Sequence, residues 1–163
     1  WWPWPLGSRG ADMIQEFFFS CLWAFLASVA FGLVYNIHGG GILICGLGGA
    51  LGWFVYLAVQ LFPIGSIPAA FAAAAAIAVF SECMARLRRC PVTGYLQVAL
   101  LPLVPGSGIY YAMRHCVAGE TQLFLSTLLN TFGMAASLAV GAMLASTVLR
   151  IVLPHLPQRH KKT

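Results

Sequence analysis

Between Ile14 and Leu153 the chain is a succession of apolar stretches with charge confined to their ends. Each stretch is close to the roughly 20 residues that carry a helix across a bilayer. No other feature limits the fold as strongly. Hydrocarbon offers no water to hydrogen-bond an exposed peptide group, so a crossing segment must satisfy its own backbone, and for stretches of this length that means helices. Composition agrees: 60% of the 163 residues are hydrophobic and 8% charged, against about 25% charged in an ordinary soluble domain. Four acids and nine bases cannot cover a surface that water must solvate. The expected fold class is therefore all-α, a polytopic membrane helix bundle of about five transmembrane helices, at about 14–35, 41–62, 67–84, 92–116 and 123–153.

Helix breakers separate the stretches. They are Asn36 with His38-Gly39-Gly40, then Pro63, Gly65 and Pro68, then a basic loop from Arg86 to Arg89 with Pro91, then Gly119-Glu120, and finally Pro154 and Pro157. The last stretch is long, which implies tilt or an end that emerges from the membrane. Residues 1–12, WWPWPLGSRGAD, are Trp/Pro-rich and carry no helical period. They read either as an interfacial aromatic anchor or as an expression scar or mis-assigned start. The transmembrane domain is expected over 13–155, with 156–163 a basic cytoplasmic tail.

The net charge of +5 does not point to nucleic acid, because the cations flank apolar spans. Arg86, Arg88 and Arg89 form one cluster; Arg150, Arg159, Lys161 and Lys162 form another. Five crossings place both clusters on one side and leave only Arg9 and Arg114 on the other. Four or six crossings would divide them. Since Lys and Arg accumulate on the cytoplasmic side, the N-terminus is expected outside and the C-terminus in the cytoplasm.

Small residues four apart let helix backbones approach in lipid. Three such stripes occur: Ser20, Ala24, Ser28 and Gly32; Gly48 and Gly52; and Gly133, Ser137, Gly141 and Ala145. Packing within the chain is the first expectation for them, and contact with another subunit the second.

The stretch richest in chemistry is Pro102-Leu-Val-Pro105-Gly106-Ser107-Gly108, inside the fourth span. Two prolines three apart remove two donors and clash with the preceding turn, so the fourth helix is expected to be broken at Pro102–Gly108. Broken backbone at membrane depth survives only when buried in protein or lining a watery cavity. The break frees amides near Ser107 to Tyr110, and these with the helix dipole favour an anion such as a carboxylate. Tyr110, Tyr111 and Ser107 offer hydroxyls, and Thr127, Asn130 and Thr131 form a polar patch in the fifth span. A simple proline kink closed by an Asn–backbone bond is the plainer alternative. Glu82 and Arg86 stand four apart, able to pair on one helical face. They are an interfacial ion pair or, more pointedly, gate or coupling residues. His38 reads as a loop histidine and Glu120 as a solvated loop acid. The five cysteines make no CxxC pair and read as apolar filler. The chain shows no HExxH, GxSxG or P-loop, and no polar dyad within a span, so neither an enzyme, a metal site nor a cofactor is expected.

Four segments occurring in order, FGLVYN (31–36), CGLGGALGW (45–53), SECMARLRRCPVT (81–93) and LLPLVPGSGIYYAM (100–113), together resemble the threonine/serine exporter family, specifically its small C-terminal-type half. The resemblance runs from about Met13 to Leu153, and PLVPGSGIYYAM is its most specific piece. It implies export of small amino acids such as threonine and serine across the bacterial inner membrane, with split relatives linked to small dicarboxylates such as succinate. Fused members carry about ten spans, so the resemblance also implies a companion five-span membrane subunit, or a homo-oligomer, as partner in the lipid bilayer. Its PLVPG motif falls on Pro102, Leu103, Val104, Pro105 and Gly106. His38-Gly39-Gly40 stands where the family has a Pro-containing stretch, and residues 1–12 match nothing in it. The function expected is thus a subunit of a secondary-active exporter of small amino acids or small carboxylates. Proton antiport is the expected energy source, with no relay evident in the sequence. A non-transporting membrane scaffold or assembly subunit is the alternative, one that has no need for a broken helix.

Overall fold

A computed structural model describes residues 10–62, 65–88 and 91–152. Most of the Trp/Pro-rich segment, the basic tail and Arg89 lie outside the described residues. The elements are α1 (Gly10–Val34), α2 (Gly41–Gln60), α3 (Ser66–Arg88), α4 (Val92–Leu100), a 3₁₀ turn (Leu101–Leu103), α5 (Gly106–Val117) and α6 (Thr121–Val152). Four helices are individually long and apolar enough to cross a membrane, and α4 with α5 makes a fifth if the bent pair is one span. The bend is 44°, a kink rather than the reversal that a re-entrant hairpin requires. Helix α6 has 32 residues and is therefore about 48 Å long, which exceeds the hydrocarbon thickness as expected from its sequence.

Local chemistry sets the ends. Asn36 and Gly39 adopt φ of 58° and 64°, the left-handed region that stops a helix, and α1 turns into α2 there. Helix α3 runs further than the sequence suggested. Arg86 and Arg88 occupy its last turn rather than a loop, since nothing before Pro91 breaks the helix and cations suit its C-terminal end.

Helix α3 is central, packed against α2, α4 and α6. Ala69, Ala70, Ala73, Ala74, Ile77 and Ala78 are fully or almost fully buried, because a helix sheathed in methyl groups admits neighbours on several sides. The small-residue stripes meet partners within the chain. Gly49 lies against Ser28 of α1, and a Cβ on Gly141 would come within 2.7 Å of the Phe71 carbonyl oxygen. Ser137 Oγ donates to the Ile67 carbonyl at 2.6 Å. Large apolar side chains point outward instead: Phe18, Leu129, Phe132 and Met143 are each about two-thirds exposed, the inverse of a soluble protein and the surface that lipid would solvate.

Candidate functional site

The break in the fourth span follows from its two prolines. Neither Pro102 nor Pro105 has an amide to give the carbonyl four residues back. The Leu101 carbonyl accepts from Val104 N–H instead, at 3.2 Å, tightening the chain into the 3₁₀ turn. Val104, preceding a proline, is pushed to an extended conformation with ψ of 126°. Pro105, at φ −76° and ψ 60°, forms the corner of an inverse γ-turn that Gly106 N–H closes onto the Val104 carbonyl at 2.7 Å. Helix α5 then starts with no side-chain cap. By helical geometry the Ser107 and Gly108 amides are left without an acceptor in their own helix.

Ser107 and Gly108 line a cleft of about 1580 Å³. Helix α1 packs chiefly on α2, and α5 chiefly on α6, so the two pairs stand apart as the cleft's walls. One wall holds Trp23 of α1 with Trp53, Tyr56 and Gln60 of α2; the break and α5 form the floor and part of the other wall; α6 contributes Thr127, Asn130, Thr131 and Met134. The lining comes from the first half of α1, the second half of α2, the start of α3 and the first half of α6. In a bundle that runs up and down, these all lie at one end. The opposite end is filled by Ile44, Cys45, Ala85, Tyr95 and Val98. The cleft is therefore one-sided, with the broken helix at its base.

Of the residues singled out from sequence, Pro102, Pro105, Ser107, Gly108, Tyr111, Thr127, Asn130 and Thr131 line this cleft. Gly108 touches Thr131 so closely that a Cβ would overlap its side chain, and Thr131 Oγ1 donates to the Thr127 carbonyl at 2.7 Å. The Asn130 side chain makes no hydrogen bond among the described residues. Gly106 sits in the break but does not line the cleft. Tyr110 is 66% exposed on the outer side of α5, because residues adjacent in a helix point about 100° apart.

Sequence reasoning missed the α2 wall. Trp53, Tyr56 and Gln60 fall at i, i+3 and i+7, one helical face, and that spacing was the available signal. Trp53 lines the cleft, while its Nε1 is buried without a hydrogen-bond partner and has no surface open to the cleft. Also missed were Arg114 and His115, which line the cleft toward its mouth. His115 Nδ1 lies 2.6 Å from Glu120 Oε2, so Glu120 is a paired acid rather than a merely solvated one.

Glu82 and Arg86 are not in the cleft. They meet at 3.7 Å beyond its closed end, in company the sequence did not suggest. Arg150 of α6 reaches Glu82 at 3.1 Å, and Arg86 donates to the Leu149 carbonyl at 3.4 Å. Glu82 is 3% exposed, so its carboxylate is held between two guanidinium groups and ties α3 to α6.

Lipid-facing helices around a one-sided cleft of mixed apolar and polar lining, with an interrupted helix at its base, have the architecture of a membrane transport bundle. A narrower assignment comes from comparison with known proteins: the family model described as Threonine/Serine exporter, ThrE, matches residues 20–148, and the chain belongs to that family. It is an exporter-type membrane transport protein. No curated protein and no solved structure matches it.

Proposed function

We propose that the chain is one half of a secondary-active exporter for a small carboxylate-bearing solute, either an amino acid such as threonine or serine or a small carboxylate such as succinate. The observation that carries this reading is the uncapped start of α5: Ser107 and Gly108, whose amides have no acceptor in their own helix, both line the cleft. Donors left unpaired at this depth are costly, and a carboxylate satisfies several at once while complementing the positive end of α5. Tyr111, Thr127 and Asn130 add neutral polar contacts. The cleft exceeds the roughly 300–1,000 Å³ of ordinary small-molecule sites, and its walls stand apart. A companion five-span subunit, or a second copy, would supply the missing wall.

With the basic end of the bundle in the cytoplasm, as the positive-inside rule directs, the cleft opens outward. Glu82, Arg86 and Arg150 then close the cytoplasmic side and act as its gate. The test is efflux from cells lacking the chain and from cells expressing it, each loaded in turn with threonine, serine and succinate. Faster loss of at least one solute on expression is expected. Identical retention of all three by both strains overturns the reading.

A further inference from the structure

The C-terminal end of α5 carries a feature that the break does not explain. Three hydrogen bonds close the helix: Ala118 N–H to the Arg114 carbonyl, Gly119 N–H to Cys116, and Glu120 N–H to His115 at 3.0 Å. With Gly119 at φ 75°, this is a Schellman motif, whose first and last residues usually make an apolar contact. Here those two positions are His115 and Glu120, and their contact is the 2.6 Å imidazole–carboxylate pair. The turn thus holds a titratable pair against the cleft, because His115 lines it.

Among the described residues, its surroundings are sparse in charge. On α5, Arg114 and Tyr111 share the cleft with His115. Helix α6, packed on α5, has no ionisable residue from Thr121 to Met134. Tyr56 faces from α2, and α1 and α3 contribute the uncharged Gln15 and Ser66. Imidazole is the one ordinary side chain that changes charge between about pH 5 and 8. With His115 protonated, it and Glu120 cancel, and Arg114 leaves the three residues at +1. With His115 neutral, Glu120 cancels Arg114 and the three sum to zero.

We propose that the His115–Glu120 pair is a proton-set charge switch at the mouth of the cleft, which selects dianionic carboxylates over zwitterions in acid and loses that preference at alkaline pH. This deepens the transport reading above and rests on it. His115 stands seven residues from Gly108, about 10 Å along the helix. One unit charge at that distance alters the affinity for a charged solute by several-fold to about tenfold, depending on how much water screens it. A zwitterion, with no net charge, is affected far less.

The experiment measures exchange of labelled L-threonine in membrane vesicles from expressing cells, with fumarate or unlabelled L-serine as competitor. Fumarate stays dianionic and serine zwitterionic across the range. For the unaltered protein, the fumarate concentration that halves exchange should fall about 3–10-fold between pH 8 and pH 5.5, while that for serine changes less than twofold. In His115→Gln, fumarate should compete weakly at both pH values. In Glu120→Gln, fumarate should compete better at pH 8 than it does with the unaltered protein, because the mouth is already positive. A merely structural role for the turn would not produce that gain. A fumarate response flat with pH in the unaltered protein, or no gain in Glu120→Gln, overturns the switch and leaves transport standing. Absence of exchange of labelled threonine, serine and succinate alike in unaltered vesicles removes the transport reading and the switch together.

Discussion

Making the fourth span continuous should abolish export without expelling the protein from the membrane. The variant is Pro105→Ala with Gly106→Ala. A proline inside a helix costs about 3 kcal/mol and a glycine about 1 kcal/mol relative to alanine, so the pair of changes favours the continuous helix by about 4 kcal/mol, nearly a thousandfold in population. The geometric consequence is large. Helix α5, with 12 residues, is a lever about 18 Å long, and closing the 44° bend swings its far end by about 13 Å. Tyr111 and the α5 amides would leave the cleft floor, and Gly108 would separate from Thr131. Spin labels at Met113 on α5 and Leu144 on α6 report the swing as a changed distance distribution, membrane fractionation reports insertion, and efflux of loaded threonine reports function. Loss of efflux together with a displaced α5 is expected. Undiminished efflux from a variant whose labels show the displacement would refute the idea that the bend positions the solute.

Other perturbations probe neighbouring contacts. Gly108→Ala pushes a methyl into Thr131 and should impair efflux; adding Thr131→Ala should restore part of it, a coupling of about 0.5–3 kcal/mol in a double-mutant cycle. Asn130→Leu suits lipid better than asparagine does, so membrane levels should hold while efflux falls about tenfold to a hundredfold, the worth of one hydrogen bond to a charged group. Glu82→Gln leaves Arg86 and Arg150 without their shared carboxylate. Breaking a buried pair costs about 3–5 kcal/mol, but Arg150 is 64% exposed and water replaces much of the loss, so about 1–2 kcal/mol is expected, read as a Tm roughly 2–8 °C lower in detergent.

The sequence spoke clearly wherever a physical constraint was local. The apolar stretches announce helices because lipid permits little else. Pro102 and Pro105 announce a break because a missing amide cannot be supplied by any partner. Thr127, Asn130 and Thr131 announce an inward face because polar groups avoid hydrocarbon. What stayed hidden depends on which helix meets which. The Gly133–Gly141 stripe says that something approaches closely; that it is the Phe71 backbone of α3 is a fact of tertiary arrangement. Glu82 suggested its neighbour Arg86 by spacing, whereas Arg150 lies 68 residues away. Glu120 looked solvated because it follows a glycine in a loop, yet that glycine's positive φ is what folds the acid back onto His115. Trp53 passed as one more aromatic in an apolar helix, since only the fold shows that its Nε1 finds no acceptor.

The two charged clusters differ in a way that bears on mechanism. At the closed end a carboxylate lies buried between arginines on two helices, α3 and α6, so opening that end must separate unlike charges. At the open end the His115–Glu120 pair lies within a single turn and survives any rigid movement of α5 with α6. The first resists motion and the second travels with it. On the transport reading proposed above, opening of the closed side would begin where Arg150 and Leu149 of α6 meet Glu82 and Arg86 of α3, and a solute held at the base of α5 would be carried by the same helix pair whose far end that movement releases.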